Sequence, residues 1–343
     1  MKPTDFALHL TTWLSMHLPG VVGASENTIR SYRDTFSLLL LFCEKERALP
    51  PERCALANLN RETVEEFLNW LEEERRCSVA TRNQRLAALH AFFKHLQSRL
   101  PQRIFQLQEV LAIPMKRLPE RSVSYLTVEA VGKLFGTPDG TTRNGRRDLA
   151  LLSLLYESGA RVQEIADLRA GDVRLHPPAT VKLKGKGNKT RIVPLMEPMA
   201  RLIERYLKEE GLSEPRFAEH PLFRNASGEK LSRSGIAHIL RKHFDTAKSR
   251  APTSFPDSIS PHVVRHSKAM HLLQSDVDLI YIRDVLGHSS VRTTEIYARA
   301  DSAMKRRALE AARSPGIPVA SDEVPEWQSN KGLLEWLKGL GRQ

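Results

Sequence analysis

The sequence is poor in cysteine. Cys43, Cys54 and Cys77 are the only three among 343 residues, and no two of them form a C-x-x-C pair. An odd number cannot all pair within one chain, so the pattern disfavours the disulfide framework of a small secreted domain and offers no zinc ribbon. We therefore expect the protein to work in a reducing compartment.

Long apolar runs are also missing. The longest, Leu38–Cys43, has six residues, whereas a helix needs about 20 apolar residues to cross a bilayer. The first residues, MKPTDFALHLTTWL, lack the basic segment and continuous apolar stretch of a secretion signal. The sequence therefore predicts a soluble, cytoplasmic protein with no membrane partner.

Positive charge is what the sequence has in excess. Lysine and arginine number 52 against 40 aspartate and glutamate, which gives a formal net charge of +12. A polyanion such as nucleic acid is the natural partner of this imbalance, although ribosomal and membrane-associated proteins share it. Hydrophobic residues make up 41% of the chain, enough for a sizeable core, and the length suits about two domains.

The hydrophobic pattern divides the sequence into four segments. Apolar residues recur every three or four positions through much of residues 1–100, which predicts a helical domain. Residues 101–124 hold three prolines and no sustained period, which indicates a linker. Residues 125–313 show helical patterns and one hairpin signal, and residues 314–343 form a proline-containing tail that ends in an amphipathic helix pattern. The predicted fold class is mainly α with a small β-sheet or hairpin.

Six residues scattered through the second domain supply the groups that metal-free phosphoryl transfer requires. They are Arg161, Lys186, His262, Arg265, His288 and Tyr297. An arginine stays charged and binds phosphate through two donors at once, while an attacking hydroxyl needs a base, and the leaving oxygen needs an acid. Gly185 and Gly187 would let a hairpin tip turn tightly and bring Lys186 close to a nucleic-acid backbone.

Short spacings support part of this arrangement. His262 and Arg265 lie three residues apart and would share one helix face, as would Arg161 and Glu164. His262 and His266 lie four apart and could bind a metal, but no third ligand is evident and Arg265 is a poor neighbour for a cation. We predict no metal and interpret His266 as a structural histidine.

These segments resemble the tyrosine recombinase family, which includes phage integrases and Xer-type resolvases. The motifs SGARVQEIADL, KGKGNKTRIVPL, SPHVVRHS, DVLGHSS and TTEIYARAD occur in the family's order, with 23 residues from Arg265 to His288 and 9 from His288 to Tyr297. The resemblance covers roughly residues 125–308. It extends more loosely to the N-terminal segment, which is similar to the family's core-binding domain.

The resemblance implies a role for each motif. Tyr297 would attack a DNA phosphate and form a 3′-phosphotyrosyl bond. Arg161 and Arg265 would clamp that phosphate, and Lys186 would protonate the leaving 5′ oxygen. His288 would donate a hydrogen bond to the phosphate.

Two further residues would complete the site. His262 would act as acid or base near the tyrosine, and Glu164 would support the arginines without reacting. Neither ATP nor any other cofactor is implied. Ala160 and Arg299 depart from the family pattern, which often has an aliphatic residue and a histidine at these positions, but neither removes a catalytic group.

The resemblance also implies partners. Two domains would form a C-shaped clamp on double-stranded DNA that carries inverted-repeat sites. A homo-tetramer, or a tetramer formed with a second recombinase, would exchange strands through a Holliday junction. The favoured role is integration, excision or transposition of a mobile element. The alternatives are a chromosome-dimer resolvase of the Xer type, a non-catalytic DNA-binding accessory protein, a type IB topoisomerase and a metal-dependent nuclease.

Eight further residues are candidate DNA contacts, because they are basic or polar and lie near helix starts or the predicted hairpin. They are Arg30, Arg33, Thr81, Arg82, Asn83, Arg85, Lys184 and Lys189. A solvated polar face would account equally well for any one of those in the N-terminal domain. The tail helix could pack on its own domain or on a neighbouring protomer, and the sequence favours neither.

Overall fold

A computed structural model of the chain contains one large hydrophobic core in each of two units. A smaller apolar cluster lies in the second unit. The structure describes residues 2–118, 123–185, 187, 189–288, 290–300 and 332. It separates into one unit of residues Met1–Arg121 and another of residues Ser122–Gln343. Throughout the described residues, no helix is long and apolar enough to cross a membrane.

The first unit is entirely helical in its described part. Its helices are α1 (Asp5–Thr12), which continues into a π-helical segment (Trp13–Val21), α2 (Glu26–Arg47), α3 (Arg61–Glu73), α4 (Val79–Gln97) and α5 (Ile104–Leu111). Ser25, Asn60 and Ser78 cap the starts of α2, α3 and α4, each accepting a hydrogen bond from the backbone N–H three residues on.

The segment predicted as a linker, residues 101–124, belongs in large part to the first unit. Pro101–Arg103 forms a 3₁₀ turn and α5 follows it directly. Leu107 and Val110, three residues apart, are fully buried in the first core. The linker prediction was wrong here because proline is compatible with the first turn of a helix, where its missing N–H is not needed.

The second unit is mainly helical with one small sheet, which confirms the predicted fold class. Its helices are α6 (Val128–Phe135), α7 (Arg143–Glu157), α8 (Val162–Ala166), α9 (Glu197–Glu209), α10 (Arg233–Arg250), α11 (Pro261–Gln274), α12 (Leu279–Leu286) and α13 (Glu295–Ala300).

Three antiparallel strands form the sheet, in the order β1 (Val173–Arg174), β2 (Thr180–Lys184) and β3 (Thr190–Pro194). Leu183 pairs with Arg191 and Val181 with Val193. Val181, Leu183 and Val193 are buried, while Lys184 is exposed. Buried and exposed side chains alternate along these strands. Arg191 therefore lies on the buried face of the sheet, beside apolar neighbours.

A small apolar cluster joins α11, α12 and α13. It is formed by Ala269, Met270, Leu273, Ile282, Leu286 and Tyr297. Ser260 caps α11, which begins with Pro261, and α12 ends at Gly287, whose φ of +64° is the left-handed conformation that favours glycine. These helix ends bring the loop after α12 close to the start of α8.

Candidate active site

Arg265, one of the two arginines expected to bind phosphate, is buried and held by backbone carbonyl groups. It lies on α11, is 3% exposed, and donates hydrogen bonds of 2.6 Å to the carbonyl oxygens of Gly159 and Leu286. Burial, and then the charges of Arg161 and Arg191, lower the pKa of its guanidinium to about 10. Arg265 therefore remains a cation at neutral pH, held against two loops.

Glu164 joins two more arginines. Its buried carboxylate, on α8, accepts hydrogen bonds from the backbone N–H (2.8 Å) and guanidinium (3.0 Å) of Arg161. It also accepts two from Arg191, at 2.9 and 2.7 Å. Burial raises the pKa of Glu164, but the hydrogen bonds and charges of Arg191 and Arg161 outweigh that effect and lower it. The expected Arg161–Glu164 unit is present, with Arg191 added.

Arg191 was missed by the sequence reasoning. Its Nε also donates to the carbonyl oxygen of Val285, at 2.8 Å, so the residue connects β3 to α12 and α8. The signal was available: Arg191 and Val193 are two residues apart on one strand and share its inward face. A cation on an inward face requires a buried partner, and Glu164 fills that requirement.

A cationic cavity of about 740 Å³ opens beside these residues. It is lined by Arg161, Gly185, Lys189, Thr190, Arg191, Arg283, Asp284, Gly287 and His288. Among these residues are four basic side chains, from Arg161, Lys189, Arg191 and Arg283, and one carboxylate, from Asp284. The excess of positive charge suits a phosphate group. A Cβ at Gly185 would stand 3.1 Å from the Glu164 carboxylate, which explains the glycine at this approach of the hairpin.

His288 lines the same cavity. Its Nδ1 lies 3.0 Å from the Thr294 hydroxyl, and Thr294 is fully buried. Burial, followed by the charges of Arg265 and Arg161, lowers the pKa of His288 to about 4. The ring is therefore neutral at physiological pH and keeps one N–H with which to donate a hydrogen bond.

Tyr297 lies behind His288. The two rings are nearly parallel, at 12°, with centroids 6.4 Å apart. Tyr297 is 1% exposed, and its hydroxyl lies 2.9 Å from Nδ1 of His266. Burial raises the pKa of the phenol, while the charges of Arg265 and Arg161 act in the opposite direction.

The histidine in contact with Tyr297 is His266, whereas the family resemblance implies an acid or base role near the tyrosine for His262. His262 lies at the start of α11 with an exposed side chain, and its ring centroid is 6.4 Å from that of His266. Both lie on one face of α11, one turn apart, and only the second reaches α13. Lys186 lies outside the described residues, although its neighbours Gly185 and Lys189 line the cavity. The predicted tail helix also lies outside them, apart from residue 332.

Three of the candidate DNA contacts in the first unit form hydrogen bonds within that unit. Arg82 is 6% exposed and donates to the carbonyl oxygen of Pro114. Asn83 exchanges two hydrogen bonds with the backbone of Lys116. Arg85 donates to the backbone oxygen of Ser31 and to the hydroxyl of Thr35 on α2. Of the three, only Arg82 is buried, so Asn83 and Arg85 remain candidate contacts.

Other candidates are more accessible. Arg30 and Arg33 are exposed on α2, and Arg30 forms an ion pair with Glu26. Thr81 is half-buried beside the capping Ser78. Lys184 and Lys189 are both exposed on or beside the hairpin.

Helix α10 carries cations that the sequence reasoning overlooked. Arg241 and Lys242 are exposed, and neither forms an ion pair within the described part of the chain. They lie on the solvent face of the helix, away from its buried residues.

Family models and curated relatives match most of the chain. The model of the phage integrase family matches residues 124–304, and that of the phage integrase N-terminal SAM-like domain matches residues 19–102. An integrase/recombinase of Sinorhizobium fredii is 38% identical over 92% of this chain and 93% of its own length. Tyrosine recombinase XerC of Syntrophus aciditrophicus is 31% identical over 80% of this chain and 87% of its own.

Solved structures share the fold. XerH site-specific recombinase bound to a palindromic difH substrate aligns with a TM-score of 0.64 and 23% identity, over 84% of this chain and 80% of that one. The Tn1549 transposon integrase in complex with transposon right-end DNA aligns with a TM-score of 0.64 and 17% identity, over 88% of this chain and 98% of that one.

Proposed function

The chain belongs to the phage integrase family of tyrosine recombinases, and we propose that it cuts and rejoins DNA strands through a covalent bond between Tyr297 and a DNA phosphate. One observation carries the assignment of residues. Arg161 before α8, Arg191 on β3 and His288 after α12 line a single cationic cavity. Arg265 on α11 is hydrogen-bonded to the loops on either side of it, and Tyr297 on α13 lies against the ring of His288. A shared phosphate is the ligand that suits such a set.

The two arginines supply the electrostatic part of catalysis. Arg161 and Arg265 would face the non-bridging oxygens, whose negative charge grows in the pentacoordinate transition state. Because both guanidiniums are already held by backbone or carboxylate partners, little reorganisation is needed when that charge develops. The neutral ring of His288 would donate a further hydrogen bond.

The chemistry exchanges one phosphate ester for another. The Tyr297 oxygen would bond to phosphorus while the bond to the 5′ oxygen breaks, and Lys186 would supply the proton that the leaving oxygen needs. The 3′-phosphotyrosyl bond would then be attacked by a 5′ hydroxyl from another strand. No ATP is consumed, because the ester energy is retained in the covalent link.

The proposed DNA surface of the second unit includes the cavity and several accessible cations. Lys189 lines the cavity, Lys184 is exposed at the end of β2, and Arg241 and Lys242 are exposed on α10. Arg33, exposed on α2, is a separate candidate contact in the first unit. Binding through such contacts should weaken steeply as salt rises, because each neutralised phosphate releases counterions.

The proposed biological role is recombination between inverted-repeat sites by a homo-tetramer, through a Holliday junction, in integration, excision or transposition of a mobile element. The likeness to an integrase/recombinase of Sinorhizobium fredii supports this role. The likeness to XerC of Syntrophus aciditrophicus supports chromosome-dimer resolution as the second candidate.

A nicked duplex substrate tests the proposal. When the strand is cut beside a nick, the short leaving piece diffuses away and the covalent complex accumulates. We expect an adduct with the wild-type chain in EDTA, and none with Tyr297→Phe, which should bind the same DNA with unchanged affinity. An undiminished adduct in Tyr297→Phe would refute the assignment, and loss of cleavage in EDTA would favour a metal-dependent nuclease.

The same protein preparation separates the remaining alternatives. A non-catalytic accessory protein would bind the duplex without forming an adduct. A type IB topoisomerase would relax a supercoiled plasmid that carries no paired sites. A recombinase would instead require two sites and yield exchanged products.

A further inference from the structure

We propose that His266 is the general base that takes the phenol proton of Tyr297 during DNA cleavage and returns it during rejoining. This inference rests on the proposed function, because it assigns a role within that reaction. It also replaces His262 with a residue that touches the reacting oxygen.

The hydrogen-bond inventory fixes the direction of the contact. In the described part of the chain, the Tyr297 hydroxyl has one hydrogen-bond partner, Nδ1 of His266 at 2.9 Å. If Nδ1 donated, the phenolic hydrogen would be left buried without an acceptor, which is costly. The phenol therefore donates, Nδ1 accepts, and the ring carries its own proton on Nε2.

The charge state of the ring agrees with this direction. Burial, followed by the charges of His262 and Arg265, lowers the pKa of His266. A neutral imidazole with a free lone pair aimed at a phenol is arranged to accept its proton. The ring is half-buried, so the proton it gains can pass from Nε2 toward solvent, and exposed His262 lies one helical turn away on that route.

The step balances with the groups already named. The Tyr297 oxygen bonds to phosphorus, its proton moves to Nδ1 of His266, and the bond from phosphorus to the 5′ oxygen breaks. Lys186 gives the leaving oxygen its proton. In rejoining, the 5′ hydroxyl loses its proton to Lys186, and the imidazolium of His266 protonates the departing tyrosine oxygen.

One variant with a matched control distinguishes a general base from a residue that only forms a hydrogen bond with Tyr297. His266→Asn places an amide oxygen where it can still accept from Tyr297 but cannot take a proton. We expect its single-turnover rate on a nicked duplex to fall by about 10²–10⁴-fold, the range for general base catalysis, with DNA affinity unchanged. His176→Asn, at an exposed position of the same unit, is the matched control and should cleave like the wild type.

Rescue gives the second readout. His266→Ala leaves room for a small base, so added imidazole should restore part of the cleavage rate, and substituted imidazoles of higher pKa should restore more. The wild-type rate should rise with pH as His266 loses its proton and then level off, whereas His266→Asn should lack that rise. The charged or titratable groups facing His266 are His262 and Arg265 on its own helix, Tyr297 on α13 and His288 after α12.

Several results would overturn the inference. Wild-type cleavage by His266→Asn would show that no base is needed there, and faster cleavage would show that the contact restrains the nucleophile. A slow His266→Asn variant that keeps the wild-type pH profile, or a folded His266→Ala variant that imidazole does not rescue, would indicate a structural role. Absence of any adduct with the wild-type chain would instead count against the proposed function.

The substrate can be obtained without knowledge of the natural site. A pool of nicked duplexes with a randomised segment is mixed with the wild-type chain, and the covalently captured DNA is sequenced. The most frequent duplex is then used for all variants. The comparison among variants does not depend on which sequence is chosen.

Discussion

Glu164 and Arg191 are joined by two parallel hydrogen bonds, of 2.9 and 2.7 Å, between α8 and β3. The carboxylate is 2% exposed and the guanidinium 11%. The same carboxylate holds Arg161 at the edge of the cavity. This pair therefore sets the position of an arginine proposed to clamp the phosphate, and it does so through a strand that the sequence assigned only to a hairpin.

Loss of the Glu164 charge should damage both stability and cleavage. Glu164→Gln keeps the shape but leaves two guanidiniums without their anion, and removing one partner of a buried pair costs about 3–5 kcal/mol. Urea unfolding should show that loss, and adduct formation should slow. Glu197→Gln breaks only an exposed pair with Arg201 and should cost about 0.5 kcal/mol or less. Equal costs for the two variants would contradict the assigned role.

Acidification should destabilise the fold through His288. Its folded-state pKa of about 4 lies below the ordinary value of 6.5, so between these two values the unfolded chain binds a proton that the folded chain does not. The free energy of unfolding should then fall as pH decreases from about 6.5 to about 4, by less than about 1.4 kcal/mol per pH unit, because the ring is only half-buried.

Comparing variants isolates that effect from other titrating groups. His288→Gln should show a shallower decrease in unfolding free energy over this interval than the wild type, as measured by urea titration at several pH values. His176→Gln, at an exposed position, is the matched control. Parallel curves for the wild type and His288→Gln would show that His288 is not held neutral by its surroundings.

Helix α5 should be essential to the first unit, although its segment had been predicted as a linker. Leu107 is fully buried, whereas Phe105 on the same helix is 81% exposed. Leu107→Ala should lower the free energy of unfolding by about 2–5 kcal/mol, and Phe105→Ala should change it by about 0.5 kcal/mol or less. Unfolding can be followed by fluorescence of Trp13 and Trp70, which are buried in that unit. A negligible effect of Leu107→Ala would support the original linker assignment.

Arg82 and Arg33 should separate stability from DNA binding. Arg82 is buried against Pro114, and Arg82→Ala should lower the thermal midpoint of the first unit. Arg33 is exposed, and Arg33→Ala should leave that midpoint unchanged while weakening DNA binding and reducing the salt dependence by about one counterion. The reverse pattern would restore Arg82 as a DNA contact.

Much of the fold followed from the periodicity of apolar residues and the hairpin signal. The helices of residues 1–100 and the hairpin around Gly187 appear where the residue pattern indicated. The start of α5 was missed because three prolines obscured a short apolar repeat. A proline marks a position through which a helix cannot continue, but a helix can still form between two prolines.

Site residues were predictable where they stand in motifs that resemble the tyrosine recombinase family. Arg161 and Arg265 both donate to the end of α12, and the next residue, His288, lies against the ring of Tyr297. The contact between His266 and Tyr297 was not predicted, because residues 262 and 266 share a helix face and the position of α13 decides which of them meets Tyr297. Contacts made between distant segments are set by tertiary packing, which local spacing does not encode.

The identity of the DNA-linked residue tests the central claim most directly. Protease digestion of the covalent complex, followed by mass spectrometry, locates the side chain that carries the nucleotide. We predict a single modified peptide, with the DNA 3′ phosphate on the oxygen of Tyr297. A nucleotide on any other residue, or cleaved DNA with no linked peptide, would contradict the account.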